Sequence, residues 1–457
     1  MSDFSEYLKP EKKGFLIGIG GVSMSPLAEV LHGAGLSIFG SDISESEKVD
    51  HLRKLGVSVS IGHAAENIPE DTDFVVRTAA VHDDNVEIVR AHALGIPVFE
   101  RTQAWGAIMR DYKNALCISG THGKTTTTSM ATHILMASHR DPTVMIGGTL
   151  PLLQAGHRVG NGDTIIMESC EYYNSFLSFF PTVAVILNVE ADHLDFFKDL
   201  NDIKASFRRF ALLVPEDGCV VANMDDENTM DVVAGIDRKV ITFGLHENAD
   251  VYARDIRTKG MQTEFDIMLH GEFFSHVSLR VPGIHNVKNA LAAAAATIFL
   301  GAAPLDVKYG LGAFAGAGRR LEFKGKFNGA DVYDDYAHHP GELCALLDAV
   351  LPLGYKRVVL VFQPHTYTRT KALFDDFLVQ LRRPDLTLLA EIYAAREKNT
   401  IGISSADLAK EIDGSSYFAT FDELESYLRE LAQPGDLILT VGAGDIYRVG
   451  EHIVGAG

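Results

Sequence analysis

Short apolar runs rich in Val and Ile recur along the chain, separated by segments long enough for a helix. They are FLIGIG from Phe15, DFVV from Asp73, ALCISG from Ala115, TIIME from Thr164, VAVILNV from Val183, RVVLVF from Arg357 and DLILTVGAG from Asp436. Uninterrupted apolar runs of this length suit strands buried on both faces, and helix-length spacers supply the crossovers that parallel strands need. The pattern predicts an α/β fold built on parallel sheets. Between Gly244 and Pro282 the texture changes to VYARDI, EFDIML and FSHVSLRV, which predicts antiparallel strands forming a side sheet on the middle domain.

Three of the strands run straight into glycine turns, at Gly18 to Gly21, Gly120 to Gly123 and Gly442 to Gly444. Ligands of open α/β sheets gather at the carboxyl ends of strands, so three such turns point to three ligand-bearing domains around a shared cleft. A chain of 457 residues agrees with this at about 150 residues per domain. A polar break at Asp111 to Asn114 and the small, flexible FAGAGR at Phe314 to Arg319 place the domains at 1–113, 114–317 and 318–457.

The net charge of −20 opposes adsorption to nucleic acid or to an anionic membrane surface. The four cysteines, Cys117, Cys170, Cys219 and Cys344, form no CxxC pair and are expected to be reduced, buried thiols in a cytoplasmic protein. The chain start has no basic segment followed by an apolar one. The longest apolar stretch, Ala290 to Ala303, is too short to span a bilayer, so no membrane insertion is expected.

The most informative segment is Ala115 to Thr128, ALCISGTHGKTTTT: a strand, a glycine turn, then a helix beginning at Lys124. Inward-pointing N–H groups, the positive end of a helix and a mobile ammonium together cradle polyphosphate. Position 118 is Ile, so the match is to the shorter GxxGKT with Gly120 and Gly123. Such a loop needs a hydroxyl and a carboxylate for Mg²⁺. Thr125 supplies the first, and Glu168, at the end of TIIME, is the candidate for the second, with Glu171 close by. VAVILNV ends in Glu190-Ala-Asp-His-Leu-Asp195, where His193 either binds a second cation or hydrogen-bonds Asp192 or Asp195.

The first turn, GIGGVS, reads GxGxxS, with Ser23 in place of the third glycine and Asp42 about twenty residues on. It is either a nucleotide or pyrophosphate site or a purely structural turn. DFVV ends in Arg77-Thr78-Ala79-Ala80 at the same edge. His285, Asn286 and Asn289 open an alanine-rich helix, where they either read an adenine edge or cap the helix. Arg319 and Arg320 are either solvated or bring a cation to a phosphate. DDYAHHP from Asp334 and FQPHTYTRT from Phe362 crowd polar and aromatic groups at two strand ends, which suits a small zwitterion, and their histidines lack zinc-site spacing.

In order and approximate spacing, GTHGKTTT, the strand-end Glu168, NVEADH, GIHNVKNALAA, RRLE, DDYAHHP and FQPHTYTRT resemble the Mur ligase family, the ATP-dependent amide-bond synthetases of peptidoglycan precursor assembly. Within it, GIGGVSMSPLAEVL, DDYAHHP and PHTYTRT are most similar to the branch that attaches L-alanine to UDP-N-acetylmuramate. Later-acting members typically carry a carbamylated lysine about fifteen residues past the DH pair, where this chain has Phe207.

The resemblance implies an N-terminal Rossmann-like domain for the UDP-sugar, a central P-loop domain for ATP and a C-terminal Rossmann-like domain for the amino acid. Gly18, Gly20, Gly21, Ser23, Asp42, Thr78 and Ala79 would face the UDP-sugar. Gly120, Thr121, His122, Gly123, Lys124, Thr125 and Thr126 would hold ATP phosphates, and Thr125, Glu168 and His193 would hold Mg²⁺. His285 and Asn289 would read adenine, Arg320 would lie near the γ-phosphate and Asp335 at the ribose, with Asn286 counted among the catalytic residues beside Lys124, Glu168 and His193. Tyr336, His338 and Arg369 would surround L-alanine, in a monomer or homodimer. Two departures are Thr366, where many relatives have arginine, and ESCEYYNSF, where they have EADESDASF; these bear on amino-acid affinity and on acids near the metal. Alternatives are a recycling ligase that attaches a tripeptide to the same sugar nucleotide, and a non-catalytic nucleotide-binding relative.

Overall fold

The computed structural model describes residues 3–78, 81–194, 196–395 and 397–455. Each predicted apolar run is a strand. The N-terminal sheet holds β1 (Lys13–Ile17), β2 (Ser37–Asp42), β3 (Ser58–Ile61), β4 (Phe74–Arg77) and β5 (Val98–Glu100), in the order β3-β2-β1-β4-β5. All its neighbours are parallel. The first strand lies inside the sheet with β4 beside it, so the turn after β1 and the end of β4 flank the point where strand order reverses, the usual ligand crevice of such sheets.

The central sheet holds β6 (Asn114–Ser119), β7 (Thr143–Leu150), β8 (Ala155–Arg158), β9 (Thr164–Glu168), β10 (Val183–Ile186), β11 (Cys219–Asn223), β12 (Val240–Gly244), β13 (Val251–Lys259), β14 (Gln262–Leu269) and β15 (Glu272–Leu279). Its order, β15-β14-β13-β12-β11-β10-β6-β9-β7-β8, again puts the strand before the glycine turn at a reversal, between β10 and β9. The strands expected as a side sheet, β13 to β15, extend the edge of this sheet and are joined by two-residue turns, which connect antiparallel neighbours.

The third sheet holds β16 (Glu322–Phe327), β17 (Ala330–Asp335), β18 (Arg357–Phe362), β19 (Leu386–Ala390), β20 (Ser416–Phe418) and β21 (Asp436–Val441), in the order β16-β17-β21-β18-β19-β20. Only the β16–β17 hairpin is antiparallel. Alternate residues of β18 divide between two cores, Leu360 and Phe362 on one face and Val359 and Val361 on the other. Both faces are therefore dry, as the unbroken apolar run requires.

By contacts the chain divides into two compact units, one of residues 1–254, 266–277 and 288–313, the other of 255–265, 278–287 and 314–457. Within the first unit a single core runs from Phe4 and Phe74 through Trp105 and Met109 to Phe176, Phe207 and Val233. The helix Arg101–Met109 carries much of it, burying every residue from Ala104 to Met109. It lies so close to the segment after Glu171 that a Cβ on Gly106 would meet Ser178 O at 1.9 Å.

Of the cysteines, Cys117 and Cys219 are buried as expected, whereas Cys170 is exposed and Cys344 is half-buried; all four are free. Cys170 follows β9 at the strand ends, where the sheet opens to solvent. Among the described residues no helix is long and apolar enough to cross a membrane.

Candidate active site

The phosphate turn is fixed by the segment that follows β10 and by the helix Ile284–Phe299. Gly120 and Gly123 have φ of +142° and +84°, and a Cβ would meet Leu187 Cβ at 2.8 Å in the first case and Asn289 Oδ1 at 2.6 Å in the second. Only glycine fits both the backbone and the space. Asn188, at the end of the VAVILNV run, clamps the turn. Its carbonyl accepts Thr121 N–H at 3.1 Å, and its side chain exchanges hydrogen bonds with the His122 backbone at 2.8 and 3.1 Å. Thr121 Oγ1 in turn accepts Glu190 N–H at 2.9 Å. Asn289 lies against the turn, its Oδ1 accepting Thr127 Oγ1 at 3.2 Å. Thr126 is buried in the first turn of the helix Lys124–Ala137.

Lys124 extends over this turn to Glu171, Nζ to Oε2 at 3.1 Å, and donates to Thr121 O at the same distance. Burial alone would depress its pKa, but the charges of Glu171 and Glu168 outweigh that and hold it above its ordinary value, so the ammonium stays charged. Glu168 has a different partner set: Oε1 accepts Thr125 Oγ1 at 3.0 Å and Oε2 accepts Gly147 N–H at 2.6 Å. The two acids that the sequence left close together are thus separated, Glu168 beside the hydroxyl and Glu171 beside the ammonium.

His193 has a left-handed backbone, φ +53°. Asp192 Oδ1 accepts its N–H at 2.8 Å, and Tyr172 stacks on the imidazole at 4.2 Å with 19° between the planes. Its Nε2 lies 3.8 Å from both Glu171 Oε1 and Asp192 Oδ2. A hydroxyl, two carboxylates and an imidazole therefore border the phosphate turn. The hydroxyl and carboxylates are the hard oxygen donors that fit Mg²⁺ held together with phosphate oxygens, and the imidazole adds a nitrogen beside them.

At the N-terminal sheet, Gly18 N–H and Ile19 N–H donate to Ser41 O at 2.8 and 2.9 Å, and Gly20 N–H donates to Asp42 Oδ2 at 2.8 Å. Asp42 thus fixes the turn itself. A Cβ on Gly18 would sit 3.3 Å from Thr78 Cγ2, and one on Gly21 3.1 Å from Gly18 O, so the turn and the end of β4 meet as the topology requires. Ser23 accepts a hydrogen bond from Arg101, a residue that sequence reasoning passed over. Ala79 lies outside the described residues.

In the second unit the sheet edge carries the other predicted groups. Asp335 is buried, with Oδ2 accepting Leu321 N–H at 2.7 Å and Oδ1 accepting Ala337 N–H at 2.8 Å. Burial raises its pKa while Arg320 pulls it down. The Arg320 guanidinium lies 5.2 Å from the Tyr336 ring centre and 4.0 Å from Glu342 Oε1. His338 Nδ1 is 3.3 Å from Glu342 Oε2, and its ring faces Tyr336 at 5.4 Å and His365 at 5.7 Å. Arg369 Nη1 approaches His365 Nδ1 at 3.4 Å, and His365 stacks on Tyr393 at 5.6 Å. Tyr336, His338 and Arg369 are therefore linked through His365, which, like Tyr393, was not singled out in advance.

Thr366 has φ +68° and donates its N–H to Tyr393 O at 2.9 Å. The third glycine turn is filled from within by Arg319, which donates to Gly444 O at 3.0 Å and Gly442 O at 2.5 Å while pairing with buried Asp334 at 3.0 Å. His285, half-buried beside Gly283, has its pKa pushed down to about 4 by burial, so it is neutral. Asn286 Nδ2 donates to Pro282 O at 2.7 Å, which ties the helix start to the segment before it.

Comparison with known proteins bears on all three sheets. The chain matches the Mur ligase family catalytic domain over residues 16–113, the Mur ligase middle domain over 118–297 and the Mur ligase glutamate ligase domain over 319–444. It is 46% identical over 453 residues, covering 98% of both chains, to a UDP-N-acetylmuramate–L-alanine ligase of Caldanaerobacter subterraneus subsp. tengcongensis. The crystal structure of a UDP-N-acetylmuramate–alanine ligase from Thermotoga maritima superposes with a TM-score of 0.79 at 30% identity, covering 97% of this chain and 98% of that one. A murein peptide ligase of Psychrobacter arcticus shares the fold at TM-score 0.69 and 24% identity, with 97% and 98% coverage.

Proposed function

The chain belongs to the Mur ligase family, and we propose that it joins L-alanine to the lactyl carboxylate of UDP-N-acetylmuramate with conversion of ATP to ADP and phosphate, a step of peptidoglycan precursor synthesis. The observation that carries the reading is end-to-end similarity to L-alanine ligases together with an intact phosphate turn, in which Lys124 is charged and paired with Glu171, Glu171 lies near His193, and Thr125 bonds Glu168.

A carboxylate does not react with an amine at neutral pH until it carries a leaving group. The lactyl carboxylate attacks the γ-phosphorus of ATP, forming an acyl phosphate and releasing ADP; the amine of L-alanine then adds to the acyl carbon, loses a proton and expels phosphate. The protein's part is alignment and charge neutralisation, and alignment alone can contribute roughly 7–11 kcal/mol. Lys124 meets the negative charge that spreads over the transferred phosphoryl group, and Glu171 holds its ammonium over the turn. Thr125, Glu168 and His193 would hold Mg²⁺, which when bound supplies further neutralisation of the phosphates. Gly18, Gly20, Gly21 and Thr78, at the reversal point of the first sheet, receive the sugar nucleotide.

In the second unit Arg320 brings positive charge toward phosphate, Asp335 holds the Leu321 to Ala337 backbone, and Tyr336, His338 and Arg369 receive the amino acid. A carboxylate-binding arginine with flanking rings suits a small zwitterion. The reducing cytoplasm, where such precursors are made, agrees with the four free cysteines.

Release of ADP, assayed with UDP-N-acetylmuramate and a panel of amino acids, tests the proposal. L-Alanine is expected to exceed glycine and L-serine. Turnover only with a tripeptide would move the chain to the recycling branch, and ATP binding without any turnover would make it a non-catalytic relative.

A further inference from the structure

His338 and His365 face each other at 5.7 Å, and their partners assign them opposite tautomers. A guanidinium can only donate, so His365 Nδ1, 3.4 Å from Arg369 Nη1, carries the lone pair and His365 Nε2 carries the hydrogen. At His338 the arrangement is reversed. Its Nδ1 lies 3.0 Å from Tyr336 O and 3.3 Å from Glu342 Oε2, both acceptors, so Nδ1 carries the hydrogen and Nε2 the lone pair. Of the two imidazoles, His338 is therefore the one able to accept a proton at Nε2.

Glu342 is itself anchored. Its Oε2 accepts the N–H groups of His338 and His339 at 2.9 and 3.3 Å, closing the start of the helix Pro340–Val350, and its Oε1 lies 4.0 Å from Arg320 Nη1. The other charges around the pair are buried Asp335, at the end of β17, and Arg369, beyond His365. A carboxylate beside Nδ1–H fixes the tautomer and orientation of the ring and stabilises the imidazolium that forms when Nε2 takes a proton.

L-Alanine is an ammonium at neutral pH and lacks the lone pair that must add to the acyl carbon. We infer that His338 Nε2 takes a proton from this ammonium, and that Glu342 is the residue that positions His338 for the transfer. The inference rests on the substrate proposed above. The electron pair of the broken N–H bond becomes the amine lone pair and then the new C–N bond. Phosphate leaves with the electrons of the C–O bond and carries off the second proton of the nitrogen, while the imidazolium returns the first to water. If His338 instead served only to bind the alanine carboxylate, its loss would raise KM and leave kcat intact.

The test is ADP release by the wild type, His338→Gln and Glu342→Gln, measured against pH and L-alanine concentration with UDP-N-acetylmuramate and ATP saturating. His338→Gln is expected to lower kcat about 10²-fold near neutral pH, as loss of a general base does, with KM for L-alanine nearly unchanged. That deficit should narrow as pH rises from about 7 to about 9, where more of the amino acid arrives unprotonated. Glu342→Gln keeps an acceptor for the helix start and should lower kcat about tenfold, the worth of one charge-assisted hydrogen bond. Wild-type kcat in His338→Gln, or a deficit of the same size at every pH, overturns the inference. If His338→Gln does not fold, Glu342→Gln decides: a loss in kcat that narrows with rising pH supports the transfer, and wild-type kcat or a pH-independent loss overturns it. A wild type that does not turn over with L-alanine refutes the proposed substrate instead.

Discussion

Lys124 and Glu171 form an ion pair, Nζ to Oε2 at 3.1 Å, in which the acid is 3% exposed and the lysine 14%. Removing one partner of such a pair leaves the other charge in a poor environment, which costs about 3–5 kcal/mol in comparable buried sites. Lys124→Met should therefore lower both turnover, by a factor on the order of 10²–10³, and the urea midpoint. Adding Glu171→Gln should restore much of the midpoint without restoring ADP release. Additive loss of stability in the double variant would show that the pair is not coupled.

The strands, the three glycine turns and the separate texture of β13 to β15 were legible because each is written in contiguous residues. The pairings inside the site were not. Glu171 reaches Lys124 across 47 residues, Asn188 reaches His122 across 66, and Arg319 reaches Gly442 across 123. Such partners depend on which strands end side by side, and the order β10-β6-β9 is not encoded in any one segment. A polar Asn188 at the end of an apolar run was the available signal. Arg319 gave less, because paired arginines at a turn are ordinarily solvated.

Gly123 should tolerate no side chain. Its φ of +84° carries a left-handed penalty of about 1–2 kcal/mol for other residues, and a Cβ would also stand 2.6 Å from Asn289 Oδ1. Gly235, at φ +65° with nothing within 4 Å, isolates the backbone part of that cost. Gly123→Ala is expected to lower the urea midpoint more than Gly235→Ala and to raise KM for ATP, which Gly235→Ala leaves alone. Equal effects on stability and on KM would refute the packing argument.

Asp334 gives the C-terminal sheet an unusual pH response. Burial raises its pKa from 3.8 to about 6, although Arg319 and Thr440 pull the other way. Between those two values the native state holds the proton more tightly than the unfolded chain, so this group's contribution to stability falls as pH rises from about 4 to about 6 and is level beyond. The span corresponds to about 3 kcal/mol. Asp334→Asn should flatten that part of a plot of unfolding free energy against pH, even though it lowers stability overall by unpairing Arg319. An unchanged slope between pH 4 and 6 would assign the titration to another group.

Phe207 lies about fifteen residues past the Asp192-His193 pair, the spacing at which the resemblance would put a carbamylated lysine, and its surroundings leave no room for that chemistry. It is fully buried, edge-on to Phe176 at 5.3 Å, while Phe176 stacks on Phe210 at 4.5 Å. These rings anchor the segment that begins just after Glu171, so the site is braced here by packing. Phe207→Ala should cost about 3–5 kcal/mol, as cavities left by a deleted ring do, and Phe207→Leu should keep most of both stability and ADP release. Phe207→Lys buries an ammonium among aromatic rings without a partner, so it should be strongly destabilised, and bicarbonate should not rescue it. Recovery of wild-type turnover by Phe207→Lys in bicarbonate would show that a carbamate can form and act at this position after all.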